Sequence, residues 1–192
     1  AALGLGDEPL IVSCWGSLGA REMNKKIAQF MRCECEDGTP FHHIHATGSF
    51  GWRWMPDYVK EQGVDLAAHP ALDMREYIYD MPQVLAAADL IICRAGAATI
   101  AEVCASGTPC IMVPSPNVTG NHQEKNARVL ERSGAAAVVR EADCDGKSLY
   151  ETAKAILSDA GRMRAMRASA RDMAVVDAAE RIYQTALDLA KH

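Results

Sequence analysis

No stretch of this chain approaches the roughly 18–20 consecutive apolar residues that a bilayer-spanning helix needs. Positive charge is not in excess either. Lys and Arg number 20 against 25 Asp and Glu, a net charge of −5, which leaves no electrostatic case for nucleic acid or an anionic membrane as the main partner. The first residues, Ala1-Ala2-Leu3-Gly4-Leu5-Gly6-Asp7, lack the basic flank and long apolar core of a secretory signal. An initiator Met is missing too, so the chain is expected to begin partway through a longer protein. A disulfide framework is absent: the seven cysteines are an odd number, and Cys14, Cys93, Cys104 and Cys110 sit inside apolar runs. That pattern reads as small buried thiols in a reducing cytosol. Cys33-Glu34-Cys35, followed by His42, His43 and His45, invites a zinc reading, but the spacing is not that of a finger. In a strand over Phe41–Ala46 those histidines should alternate between faces, so no metal is expected.

What the chain does contain is a core and a rhythm. Hydrophobic residues make up 49% and charged residues 23% of 192, the balance of a globular protein. The expectation is one domain over 1–192, with 160–192 a helical C-terminal extension. Short apolar runs at Leu10–Cys14, Phe41–Ala46, Leu72–Tyr77, Leu90–Cys93, Cys110–Val113 and Ala136–Val139 read as strands. Helices are expected at about Arg21–Met31, Asp57–Gln62, Met81–Ala87, Thr99–Ser106, Asn121–Ser133, Ser148–Ser158, Arg162–Met173 and Asp177–Lys191. The last should bury Ile182, Tyr183, Ala186 and Leu187, with Asp177 and Glu180 as a capping box. Ser49–Pro56 is an aromatic loop, either tucked onto the sheet or free to meet a partner. Strand–helix alternation of this kind predicts an α/β, Rossmann-like domain: a parallel sheet of about six strands with helices on both faces. Ligands in such folds sit at the carboxyl ends of the strands. The turns after Cys14, at Thr47-Gly48, at Tyr77–Asp80, at Ala95–Ala98 and the Pro114–Gln123 loop therefore share one rim.

Cys93-Arg94-Ala95-Gly96-Ala97-Ala98-Thr99-Ile100-Ala101-Glu102 is the organising stretch. A buried strand breaks at small residues and restarts as a helix, so unpaired backbone N–H groups and the positive end of the helix dipole face one spot. Small side chains let a phosphate approach that spot. Glu102, about one turn on, could accept two vicinal ribose hydroxyls. The same residues also suit a βα junction in which Ala and Gly serve packing alone. A nicotinamide dinucleotide fits poorly: the first turn offers only Gly16 and Gly19, and His45-Ala46-Thr47-Gly48 stands where the ribose-binding acid would be.

Several motifs in order resemble one family. They are Gly16-Ser17-Leu18-Gly19-Ala20, His45-Ala46-Thr47-Gly48, Tyr77-Ile78-Tyr79-Asp80-Met81, Ala88-Asp89 through Glu102, Gly107-Thr108-Pro109, Val113-Pro114, Asn121 through Ala127, and Gly134-Ala135-Ala136. Over about residues 10–140 the chain is similar to the C-terminal, donor-binding half of the MurG family (glycosyltransferase family 28, GT-B fold). These bacterial enzymes add N-acetylglucosamine to lipid I in peptidoglycan synthesis. The resemblance implies UDP-N-acetylglucosamine as donor, with no metal and no cofactor. It implies that Glu102 holds the ribose hydroxyls, that Ala97, Ala98 and Thr99 offer amides to the diphosphate, and that Ile78 meets the uracil through its main chain. Gln123 would contact the sugar hydroxyls, Arg94 would lie near the uracil, and Ser17 near the interdomain cleft. His122 is either close to the ligand or a solvated cap. The family places its lipid I site and its candidate catalytic residue in an N-terminal domain absent from this chain. On that reading the catalytic residue is not in this sequence and the chain alone is inactive. The whole protein would be a cytoplasmic enzyme, peripheral on the inner face of the cell membrane. Trp15 departs from the family, which usually has glycine there, and should narrow phosphate access. Two other readings stay open: a separate soluble donor-binding subunit of a two-component lipid-linked transferase, and a nucleotide-sugar epimerase of GT-B shape, for which no acid–base pair stands out.

Overall fold

Strands that are apolar along their whole length need cover on both faces, and here they receive it. The computed structural model describes Gly6 and residues 8–190. Its strands are β1 (Leu10–Cys14), β2 (His42–Ala46), β3 (Leu72–Arg75), β4 (Leu90–Cys93), β5 (Cys110–Met112) and β6 (Ala136–Val138). They form one six-stranded sheet in the order β3-β2-β1-β4-β5-β6, every pairing parallel. Every residue of β4 and β5 is buried. The helices are α1 (Arg21–Glu36), α2 (Met55–Glu61), α3 (Met81–Ala87), α4 (Ala97–Ser106), α5 (His122–Ser133), α6 (Gly146–Leu157), α7 (Ala160–Asp172) and α8 (Ala178–Ala190). Alternate residues of the strands feed two cores. Ile11, Ile92 and Ile111 meet Met23, Ile27 and Phe30 of α1 and Leu149 and Ile156 of α6. On the other face Val12, Ile91 and Met112 meet Val84 of α3, Val103 of α4 and Leu130 of α5. The order reverses between β1 and β4, so their carboxyl ends diverge into a crevice.

The α/β architecture follows the sequence expectation, with differences that have physical causes. Helix α1 continues past Met31 to Glu36 because Glu34 faces inward, fully buried. Helix α4 starts at Ala97, two residues earlier than expected, directly after an extended Gly96. The final helix is the clearest correction. All of α8 is exposed, with Ile182 at 70%, Tyr183 at 58% and Leu187 at 37%. Its period does define an apolar face, but no described element covers it. Helix α7 differs, burying Met166 and Ala170. The end of the expected last helix, Lys191, lies outside the described residues.

The alternation of the strand puts His43 and His45, two apart, on the face turned to α1, where a buried polar ladder joins them. One assignment of protons satisfies it throughout. His43 Nδ1 donates to Glu34 Oε2 at 2.8 Å, Ser13 Oγ donates to His43 Nε2 at 2.8 Å, and His45 Nδ1 donates to Ser13 Oγ at 2.7 Å. Nε2 of His45 is left without a partner. Burial, with neighbouring His43 second, pulls the His45 imidazole from 6.5 down to about 3. Below pH 6.5 the unfolded chain therefore binds a proton that the folded chain refuses, and stability falls as pH falls. At about 1.4 kcal/mol per pH unit, the loss between pH 6.5 and pH 5 is about 2 kcal/mol. Urea unfolding across that range should show it, with a smaller slope in His45→Asn. A midpoint that does not move with pH would contradict this reading of the ladder.

Candidate functional site

Three rim turns are tied backbone to backbone. The β1–α1 turn holds Gly16 and Gly19 at φ of 82° and 80°, and Gly48 after β2 stands at 73°. Ser49 N–H donates to Ser17 O and Gly48 N–H donates to Glu76 O, each at 3.0 Å. A Cβ on Gly48 would lie 2.1 Å from Gly19 N, so only glycine lets these turns approach. Together they fix Ser17 and Ile78 around one opening.

That opening is a cavity of about 170 Å³ at the carboxyl ends of β1 and β2, beside Ile91 of β4. Ser17, Ile78, Thr99 and Glu102 line it together. Above it, α4 begins at Gly96 with no side-chain cap, and the exposed Ala97 and Ala98 leave its first amides open to an anion. Ile78 is buried and forms part of the inner wall. Sequence reasoning missed part of that wall, Cys14 and Leu85, and quoted Ala46 only inside a motif. The signal was available in part, since Cys14 and Ala46 close neighbouring strands and stand in register. Tyr77 and Met81, also on the wall, had been read only as part of a motif.

The titratable side chains on the wall are Cys14, Tyr77 and Glu102. Burial, with the charge of Glu102 adding to it, pushes the Cys14 thiol up to about 12, which makes it a poor nucleophile. The arrangement thus offers an anion seat, an exposed carboxylate acceptor and an apolar slot.

Other expected residues lie outside the cavity. The carbonyl oxygen of Gln123 accepts from Ser115 N–H at 2.9 Å and Ala95 N–H at 3.3 Å, so its amide nitrogen is the end left to meet a ligand. His122 donates from Nδ1 to Thr119 O at 3.0 Å on an exposed turn. Arg94 does not line the cavity with Ile78. Its Nη1 is 2.6 Å from Glu141 Oε2, a contact off the ideal hydrogen-bond direction that acts as an ion pair. The same group donates to Val113 O at 3.1 Å, and the guanidinium lies over the Trp15 ring. Through these contacts Arg94 braces the turn against Val113 and Glu141. The Trp15 ring is buried in the α1-side core.

Residues 10–182 match the glycosyltransferase family 28 C-terminal domain. The chain belongs to this family. It is 38% identical over 186 residues to the UDP-N-acetylglucosamine–N-acetylmuramyl-(pentapeptide) pyrophosphoryl-undecaprenol N-acetylglucosamine transferase of Acetivibrio thermocellus, covering 97% of this chain and 49% of that protein. The protein of the same name from Caldanaerobacter subterraneus subsp. tengcongensis is 40% identical over 92% of this chain and 47% of its own length. Among solved structures, MurG of Acinetobacter baumannii superposes with a TM-score of 0.77 at 26% identity, over 93% of this chain and 52% of that one. The chain spans about half the length of the curated relatives it matches. The six-stranded sheet is that of a GT-B C-terminal domain. Within this family 28 domain the cavity falls at the point where the strand order reverses, where open α/β sheets bind their ligands.

Proposed function

We propose that this chain is the donor-binding half of an N-acetylglucosaminyltransferase that holds UDP-N-acetylglucosamine for transfer to lipid I, the undecaprenyl-pyrophosphoryl-N-acetylmuramoyl-pentapeptide. The observation that carries the reading is the 170 Å³ cavity in which Ser17, Ile78, Thr99 and Glu102 meet beneath the uncapped start of α4. Uracil enters the slot beside Ile78, the ribose hydroxyls reach Glu102, and the diphosphate rests on the amides of Ala97, Ala98 and Thr99. Those oriented amides stabilise the leaving diphosphate as charge develops on it. The amide nitrogen of Gln123 meets the sugar hydroxyls, with His122 beside it. The names of the relatives support this donor and acceptor. In the whole protein, the acceptor and the proton-accepting group belong to the half that this chain does not match, and the enzyme works from the cytoplasmic face of the membrane.

The slot should read the base. Calorimetric titration with UDP, UDP-N-acetylglucosamine, ADP and NAD should show weak binding of both uridine ligands, at least tenfold weaker binding of ADP, and none of NAD. A half-cleft buries less ligand than a closed site, which keeps the affinity low. Equal binding of ADP and UDP would contradict a uracil-reading site.

A further inference from the structure

A second cavity, of about 290 Å³, adjoins the first between α3 and α4. Met81, Leu85 and Glu102 belong to the walls of both. Beyond them the second cavity is closed by Pro82 and Ala86 of α3 and by Ala105 of α4. Apart from Glu102, the single polar side chain on its wall is Ser106. That hydroxyl is already engaged, donating to Val103 O at 3.0 Å and lying 2.7 Å from Thr108 Oγ1. The groove therefore offers a ligand apolar surface and one carboxylate, at the edge where it joins the nucleotide cavity.

From this juxtaposition we infer that the groove is a subsite for an apolar group carried on the ribose of a uridine nucleotide. The inference rests on the donor-site reading above. If Glu102 accepts one ribose hydroxyl, a substituent on the neighbouring hydroxyl leaves the ring beside the wall that the cavities share. The volume approaches the lower end, about 300 Å³, of small-molecule pockets, and an aromatic or short acyl group fills such a space without leaving a polar atom unpaired. Burying it removes apolar surface from water, which offsets the hydroxyl lost to the substituent.

The probe is UDP esterified on the ribose 3′-hydroxyl, which leaves the 2′-hydroxyl to Glu102, with an N-methylanthraniloyl group, titrated against the full chain by calorimetry beside UDP and 2′-deoxy-UDP. The ester should bind at least fivefold more tightly than UDP. Ala105→Trp fills the groove from an exposed helical position and should abolish that preference while changing UDP affinity less than twofold. Ala86→Phe fills it from the opposite wall and provides the same test if the first variant folds poorly. The subsite is overturned if UDP binds and the ester binds no better, or if the preference survives in a folded groove-filling variant. It is equally overturned if filling the groove weakens UDP and ester alike. Should UDP itself not bind, the donor-site reading fails first and takes the subsite with it.

Discussion

Gly48→Ala should cost this domain about 3 kcal/mol of stability. The new Cβ would lie 2.1 Å from Gly19 N, 2.4 Å from Leu18 C and 2.5 Å from Gly19 Cα. Each of these is a backbone atom, so no side chain can step aside. Overpacking of that kind costs about 1–3 kcal/mol, and a left-handed φ of 73° adds roughly 1–2 kcal/mol for a residue bearing a Cβ. Gly63 supplies the control. It has a φ of 82° but nothing within 4 Å of its Cβ position, so Gly63→Ala should lose the conformational part alone. Urea unfolding of both variants separates the two contributions. If Gly48→Ala falls within about 1 kcal/mol of Gly63→Ala, the turns are not locked by backbone contact. The same lock carries the Ser49-to-Ser17 and Gly48-to-Glu76 hydrogen bonds, so opening it would spread Ser17 and Ile78 apart.

Local signals were enough for the layers of this fold. Leu90–Cys93 is apolar at every position and is buried at every position; Met81–Ala87, opened by Pro82 at a position where its missing N–H does no harm, is a helix with the expected bounds. What the sequence hid depended on distant partners. The helix expected to end at Met31 continues through Glu36, because His43, in the next strand, donates to the inward-facing Glu34. Arg94 sits in the motif that carries the nucleotide reading, yet its direction is set by Glu141, beyond β6. The apolar face of α8 was legible; its cover was not, because periodicity reports which side of a helix is apolar and nothing about what meets it. Within the site, Ser17, Ile78 and the α4 pair Thr99 and Glu102 came from three separate motifs, and the parallel topology brings them to one cavity. Cys14 carries no motif signal of its own and became visible only through the register that sets it beside Ala46 of β2.

The central claim is that Glu102 receives the ribose of a uridine nucleotide. The carboxylate is exposed on α4 and lines the cavity together with Thr99 of the helix's first turn. A nucleotide with its diphosphate on that turn brings its sugar to the carboxylate. A hydrogen bond to a charged group contributes about 1.5–3 kcal/mol, or roughly tenfold to a hundredfold in Kd. The most direct measurement compares UDP with 2′-deoxy-UDP by calorimetry in the natural chain, in Glu102→Ala and in Glu102→Gln, with the melting temperature followed in each. The natural chain should prefer UDP by about tenfold, and both variants should lose that preference without a change in melting temperature. If the preference persists without the carboxylate, Glu102 is not the ribose ligand and the nucleotide lies elsewhere on the rim.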